Sequence, residues 1–132
     1  MTATRLRHVL LAAAAACAFA TASAASASPQ DAAKDEIDHL LKYIGASSCT
    51  FVRNGAEYPA AKARDHLETK YRFVGGRIAS AEDFIKYLAT GSSASGAPYH
   101  VHCGQTDQLS GAWLTAELAR YRSQPRLQHV AR

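Results

Sequence analysis

Apolar residues recur at helical spacing in four stretches of this chain and alternate in two. Ile37, Leu40, Leu41 and Ile44 fall at i, i+3, i+4 and i+7, one face of a helix. Ser28 with Pro29 and Asp31 signals its start, and Gly45 its stop. A second helix is predicted from near Pro59, with Ala63, Leu67, Tyr71 and Val74 on its stripe and Gly75-Gly76 ending it. A third starts at the cap Ser80, carries Phe84, Ile85 and Leu88, and closes at Gly91. Ser110 is expected to cap the fourth, whose stripe is Leu114, Leu118 and Tyr121 with Trp113 in the first turn.

Two segments have strand character instead. "CTFVRNG" runs β-branched and aromatic residues into an Asn54-Gly55 turn, and "YHVHC" follows Pro98. Between the third helix and this second strand lies "GSSASGAP", a polar loop. No internal repeat is visible. The order α-β-α-α-β-α predicts an α+β domain, four helices packed around a two-stranded antiparallel ribbon.

The first residues follow another logic. Arg5, Arg7 and His8 precede the apolar run Val9–Ala20, and small residues end in Ala25-Ser26-Ala27. That is the pattern of a secretory signal peptide over residues 1–27, cleaved after Ala27. About twelve apolar residues are too few to span a bilayer as a helix. Cys17 raises lipoprotein processing, but the alanines before it lack the leucine such signals usually carry. Residues 28–124 then form one small domain, with a frayed tail over 125–132.

Charge narrows the function classes. Without Arg5 and Arg7, thirteen Lys and Arg face eleven Asp and Glu, a net of +2. The signs alternate along the helices rather than clustering, so nucleic acid is not an expected partner. Gly-x-Ser-x-Gly, Ser-x-x-Lys, His-Glu-x-x-His and P-loop motifs are absent, and no cofactor is expected.

Four phrases occur together in order: "FVRNG" at 51–55, "HLETKY" at 66–71, "RIASAEDFI" at 77–85 and "SSASGAPYHV" at 92–101. The set resembles the YfeK-like family of small exported bacterial proteins of unknown function, across nearly all of residues 28–124. The resemblance implies a signal peptide and a single small domain, and assigns no activity, cofactor or substrate. In such sequences the position after the valine is commonly basic and the flanking pair is not two histidines. Chemistry needing both His100 and His102 is therefore an expectation for this chain alone.

Strand alternation sorts the dense "PYHVHCG" cluster. Tyr99, Val101 and Cys103 share one face, His100 and His102 the other, so Cys103 and both histidines do not ring one metal. An antiparallel register with Cys49 opposite Cys103 sets Phe51 against Val101 and Arg53 against Tyr99. A disulfide then joins the two cysteines left after cleavage, constraining the unfolded chain by about 4 kcal/mol. The competing reading, a catalytic thiolate, needs a base nearby and no partner cysteine.

The remaining candidates are weighed singly. His100 and His102 could chelate zinc or copper with Asp107 as third ligand, against two polar groups on a solvated face. His66 could be a general base or ligand contact, against a boundary histidine; Lys70 lies one turn on. Arg53 would pair with a helix acid or line a groove with Tyr99. Asn54 has a turn role, Arg77 is expected in solvent, and the loop around Ser93 could cradle an anion through backbone N–H groups. Glu82 and Asp83 suit a helix start. The leading expectation is a non-enzymatic exported protein that binds an envelope partner or small ligand through Arg53, Asn54, His66, Lys70, Arg77, Ser93 and Tyr99. The alternatives are an enzyme using His66 and metal binding through His100 and His102.

Overall fold

A computed structural model describes residues 22, 23 and 25–125. Cys17, most of the leader and the tail beyond Pro125 lie outside the described residues. Helix α1 spans Pro29–Ala46, and Ser28 caps it by accepting from the Asp31 N–H at 3.1 Å. Ile37, Leu40, Leu41 and Ile44 are all buried, each worth roughly 1.5–3 kcal/mol when fully removed from water. Gly45 does not stop this helix. The helix runs through it, and Ser47 ends it, donating its N–H and hydroxyl to the Ile44 carbonyl at 3.2 and 2.7 Å.

Strand β1 (Thr50–Arg53) turns at once into β2 (Ala56–Pro59), and helix α2 (Ala60–Val74) follows. A short 3-10 turn, Gly75–Arg77, leads to α3 (Ala81–Phe84), which continues as a π-helical turn over Ile85–Ala89. Strands β3 (His100–Cys103) and β4 (Thr106–Leu109) form a second hairpin before α4 (Ser110–Ser123). Ser110 lies inside α4 rather than capping it; Leu109 holds the cap position without a side-chain bond.

The expected two-stranded ribbon is in fact a four-stranded antiparallel sheet, ordered β2-β1-β3-β4. Each expected strand folds back on itself. Asn54 and Gly55, at φ 51° and 77°, supply the left-handed pair that a tight two-residue hairpin requires. "AEYP" and "TDQL" escape sequence reading because each is an edge strand with three exposed positions in four. Little period-2 signal survives in such segments.

The central pairing has the expected register. Phe51 lies opposite Val101, and Cys49 is bonded to Cys103 with their Cα atoms 4.4 Å apart. Phe51, Val101 and Tyr99 are buried against the helices, while His100 and His102 sit half-exposed on the outer face.

An architectural repeat underlies the sheet. Helix, hairpin and helix occur twice, and the hairpins are offset by fifty residues, Thr50–Pro59 against His100–Leu109. Their burial patterns match, yet no aligned hairpin position holds an identical residue. In the hairpins the repeat therefore lives in the fold and leaves no trace in the sequence, while the following helices share Tyr71 with Tyr121 and Arg72 with Arg122. Its twofold relates β1 to β3 through the Phe51–Val101 pair and maps Cys49–Cys103 onto Tyr99–Arg53.

Opposed charges close the molecule. Arg122 of α4 donates two bonds to Glu36 of α1, both at 2.8 Å, and a third to Glu82 of α3. The buried Glu117 is paired with Arg120 and lies 2.6 Å from Nε2 of His39. Among the described residues no helix is long and apolar enough to cross a membrane.

Candidate functional site

Arg53 ends β1 on the face of Phe51, so alternation aims its side chain at the helices rather than at solvent. There it meets α2. Nη1 lies 2.8 Å from Nδ1 and 2.9 Å from Nε2 of His66, and Nη2 donates to the Tyr58 hydroxyl at 3.2 Å. The guanidinium also sits 4.8 Å above the Tyr58 ring. A neutral imidazole has one acceptor nitrogen, so Arg53 donates one hydrogen bond to the ring, not two.

Tyr99 closes the group from the other hairpin. Its N–H donates to Thr90 and its carbonyl accepts from Ser110, which fixes the backbone, and its hydroxyl lies 3.4 Å from His66 Nε2. Lys70, one turn beyond His66, donates to the carbonyls of Leu88 and Gly91 and to the Tyr99 hydroxyl at 2.7, 3.4 and 3.4 Å. Its charge also lies 5.3 Å from the Tyr99 ring centre.

Arg53, Tyr58, His66 and Tyr99 line an open cleft of about 200 Å³, with Phe51, Ala63 and Leu67 as its apolar wall and Lys62 also in its lining, while Lys70 stands behind Tyr99. The cleft is electropositive. Among the described residues no ion pair engages Arg53, Lys62 or Lys70. Burial first, then the charges of Arg53 and Lys70, hold the His66 pKa below its usual 6.5. Burial and Arg53 likewise lower Lys70 from 10.5, and burial raises Tyr99 above 10.0.

Of the residues singled out in sequence, Arg53, His66, Lys70 and Tyr99 come together. Asn54 stands beside them in a supporting part. Its amide accepts from the Ser95 hydroxyl at 2.7 Å and reaches Ser92 Oγ at 3.4 Å, tying the first hairpin to the serine loop. Arg77 is exposed on the 3-10 turn, outside the cleft lining, and Ser93 is exposed on its loop. Ser92, not Ser93, organises that loop, its hydroxyl accepting from the N–H groups of Ala94 and Ser95. The N–H groups of Ser92, Gly96 and Ala97 are also satisfied within it. Gly91 forms its neck, where a Cβ would meet the Ala97 carbonyl oxygen at 2.9 Å.

Tyr58 and Lys62 escaped sequence reasoning, and Ala63 is legible there only as part of a helix stripe, not as cleft lining. A two-residue Asn54-Gly55 turn pairs Arg53 with Ala56, and hence Phe51 with Tyr58. Following that register would have placed Tyr58 on the cleft face.

The histidine pair lies on the opposite face of the sheet. His100 Nδ1 and His102 Nε2 converge on one oxygen of Asp107, at 3.2 and 3.1 Å, with Glu57 3.9 Å from His102. Among the described residues no group of three His, Cys, Asp or Glu side chains is arranged to hold a metal ion.

The geometry defines a small α+β domain with a cationic, partly aromatic cleft between a hairpin and its following helix. The chain belongs to the family of unknown function DUF5329, whose model matches residues 31–122. It is similar to the uncharacterized protein YfeK of Salmonella typhimurium, 44% identical over 50 residues. That stretch is 38% of this chain and spans 42% of the relative's length. No solved structure matches.

Proposed function

We propose that this is an exported, non-enzymatic protein that binds a small ligand in the cleft between β1, β2 and α2. One observation carries the reading: Arg53, His66 and Tyr99, from three separate segments, converge on one concave surface. A groove built from distant parts of the chain, with polar groups at one end and apolar walls, is the ordinary form of a ligand site. Export is supported by the basic, then apolar, then small-residue start of the chain and by a disulfide that needs an oxidising compartment.

A catalytic use of His66 is the weaker reading. Arg53 and Tyr99 stand at both of its ring nitrogens, leaving none to take a proton from a substrate. Metal binding by His100 and His102 draws on Asp107, but that carboxylate is already hydrogen-bonded to His100 and lies 3.1 Å from His102 Nε2. Zinc titration of the protein and of His100→Ala tests it, and identical isotherms end it.

Screening the protein by NMR against small carboxylates, phosphates, amines and neutral compounds tests the cleft. Binders should shift amides of Arg53, His66 and Tyr99 together. A screen that moves none of them sinks the proposal. N-terminal mass analysis after expression in a bacterium tests export, with Ser28 expected as first residue.

A further inference from the structure

The cleft has a one-sided hydrogen-bonding inventory, and that imbalance specifies its ligand. Arg53 carries five N–H donors and no acceptor. Nη1 serves His66 and Nη2 serves Tyr58; the other donors have no partner among the described residues.

Arg53 can only donate, and its Nη1 lies 2.8 Å from Nδ1 and 2.9 Å from Nε2 of His66, so Arg53 takes up whichever nitrogen bears the lone pair of the neutral ring. The Tyr99 oxygen accepts from Lys70, and among the described residues no acceptor other than the His66 ring lies within hydrogen-bond distance of its O–H. Tyr58 is in a similar position, because its oxygen accepts from Arg53. The cleft lining contains no carboxylate, and its other wall is apolar.

Donors and positive charge at one end, with no acceptor to match, suit a ligand that brings only acceptors. We propose that the cleft takes an oxyanion, a carboxylate or phosphate monoester, borne on a small apolar body of about one ring. Arg53 and the hydroxyls of Tyr58 and Tyr99 bind the anion, while Phe51, Ala63 and Leu67 hold the body. The second cavity, between the π-helical turn and α4, differs in having a carboxylate in its lining, Glu82, which is paired with Arg122 beside the further charge of Lys86.

This inference rests on the cleft being the ligand site, and the experiment separates the two. Benzoate, phenyl phosphate, benzamide and acetate are titrated into the protein by calorimetry, with NMR locating each site. Benzoate or phenyl phosphate should bind at least about tenfold tighter than benzamide, because charge-assisted hydrogen bonds exceed neutral ones. Whichever anion wins identifies the headgroup. Acetate should bind more weakly than benzoate, for want of a body to bury. Arg53→Gln should bring the anions down to the benzamide level, and Tyr99→Phe should weaken them several-fold while amide spectra keep the native pattern. Benzamide binding in the cleft as tightly as benzoate overturns the oxyanion class and leaves the cleft as a ligand site. Anion binding indifferent to Arg53→Gln, or located elsewhere, overturns it too. Absence of binding by every probe also overturns it, and the wider screen then decides the fate of the cleft.

Discussion

At one end of the β1–β3 pair, Cys49 and Cys103 are covalently joined; at the other, Arg53 and Tyr99 occupy the related positions and reach outward into a cleft. The covering helices differ in the same sense. Ala63 of α2 stands fifty residues before Trp113 of α4, at the same place in its repeat. Trp113 is 8% exposed, packed edge-on to Phe51 at 5.6 Å and tilted on Tyr43 at 4.6 Å. Ala63, partly buried against the core, puts only a methyl group there, and it lines the cleft. A twofold architecture has thus been used once for stability and once for a surface. One half is stapled and packed; the other keeps polar groups in a hollow, which a core would not tolerate without partners.

Breaking the stapled half should cost most. Cys49→Ser with Cys103→Ser removes a link between residues 54 apart in sequence and should lower unfolding free energy by about 4 kcal/mol, read from urea denaturation. Trp113→Ala should cost roughly 3 kcal/mol in the same measurement, since it empties the space that Ala63 leaves open on the other side.

The open half should respond differently. Ala63→Phe extends a ring into the cleft and should change stability by less than about 1 kcal/mol. It should nevertheless abolish binding of any ligand found there by calorimetry. Loss of stability on the scale of the tryptophan variant would mean that the cleft is packed core.

Acid should sharpen the contrast. The folded-state pKa of His66 lies below its unfolded value, so the unfolded chain binds more protons and stability falls as pH drops below 6.5. Arg53, Tyr58, Lys62, Lys70 and Tyr99 surround it without a carboxylate to relieve the charge. Denaturation between pH 7 and 5 should show a shallower slope for His66→Gln than for the parent chain. Glu82 and Glu117 carry lowered pKa values, so their losses fall below 4.5, outside that window.

The smallest effect belongs to the outer face. Asp107 is more than half exposed, and Asp107→Asn should change stability by less than about 0.5 kcal/mol despite its two histidine neighbours.

Periodicity sufficed for α1 and for the stripes of α2 and α4, because a buried helix face writes itself at i, i+3 and i+4. Alternation sufficed for Phe51, Val101 and the cysteine pair. Together these set Arg53 opposite Tyr99, and His66 follows from its place beside Leu67. The edge strands were not legible because their side chains are mostly in water, and with them went Tyr58. Ala63 is harder still. A cleft made by a missing side chain has no residue to announce it, and only comparison with Trp113 in the folded repeat reveals the omission. Ser92, which organises its loop, differs from the exposed Ser93 in burial, which composition does not carry.

The Glu36–Arg122–Glu82 clasp bears on how this domain can be held. It fastens the last turn of α4 to the middle of α1 and to the start of α3, so one guanidinium holds together three helices that chain order keeps apart. Fraying of that last turn therefore sets two carboxylates loose at once.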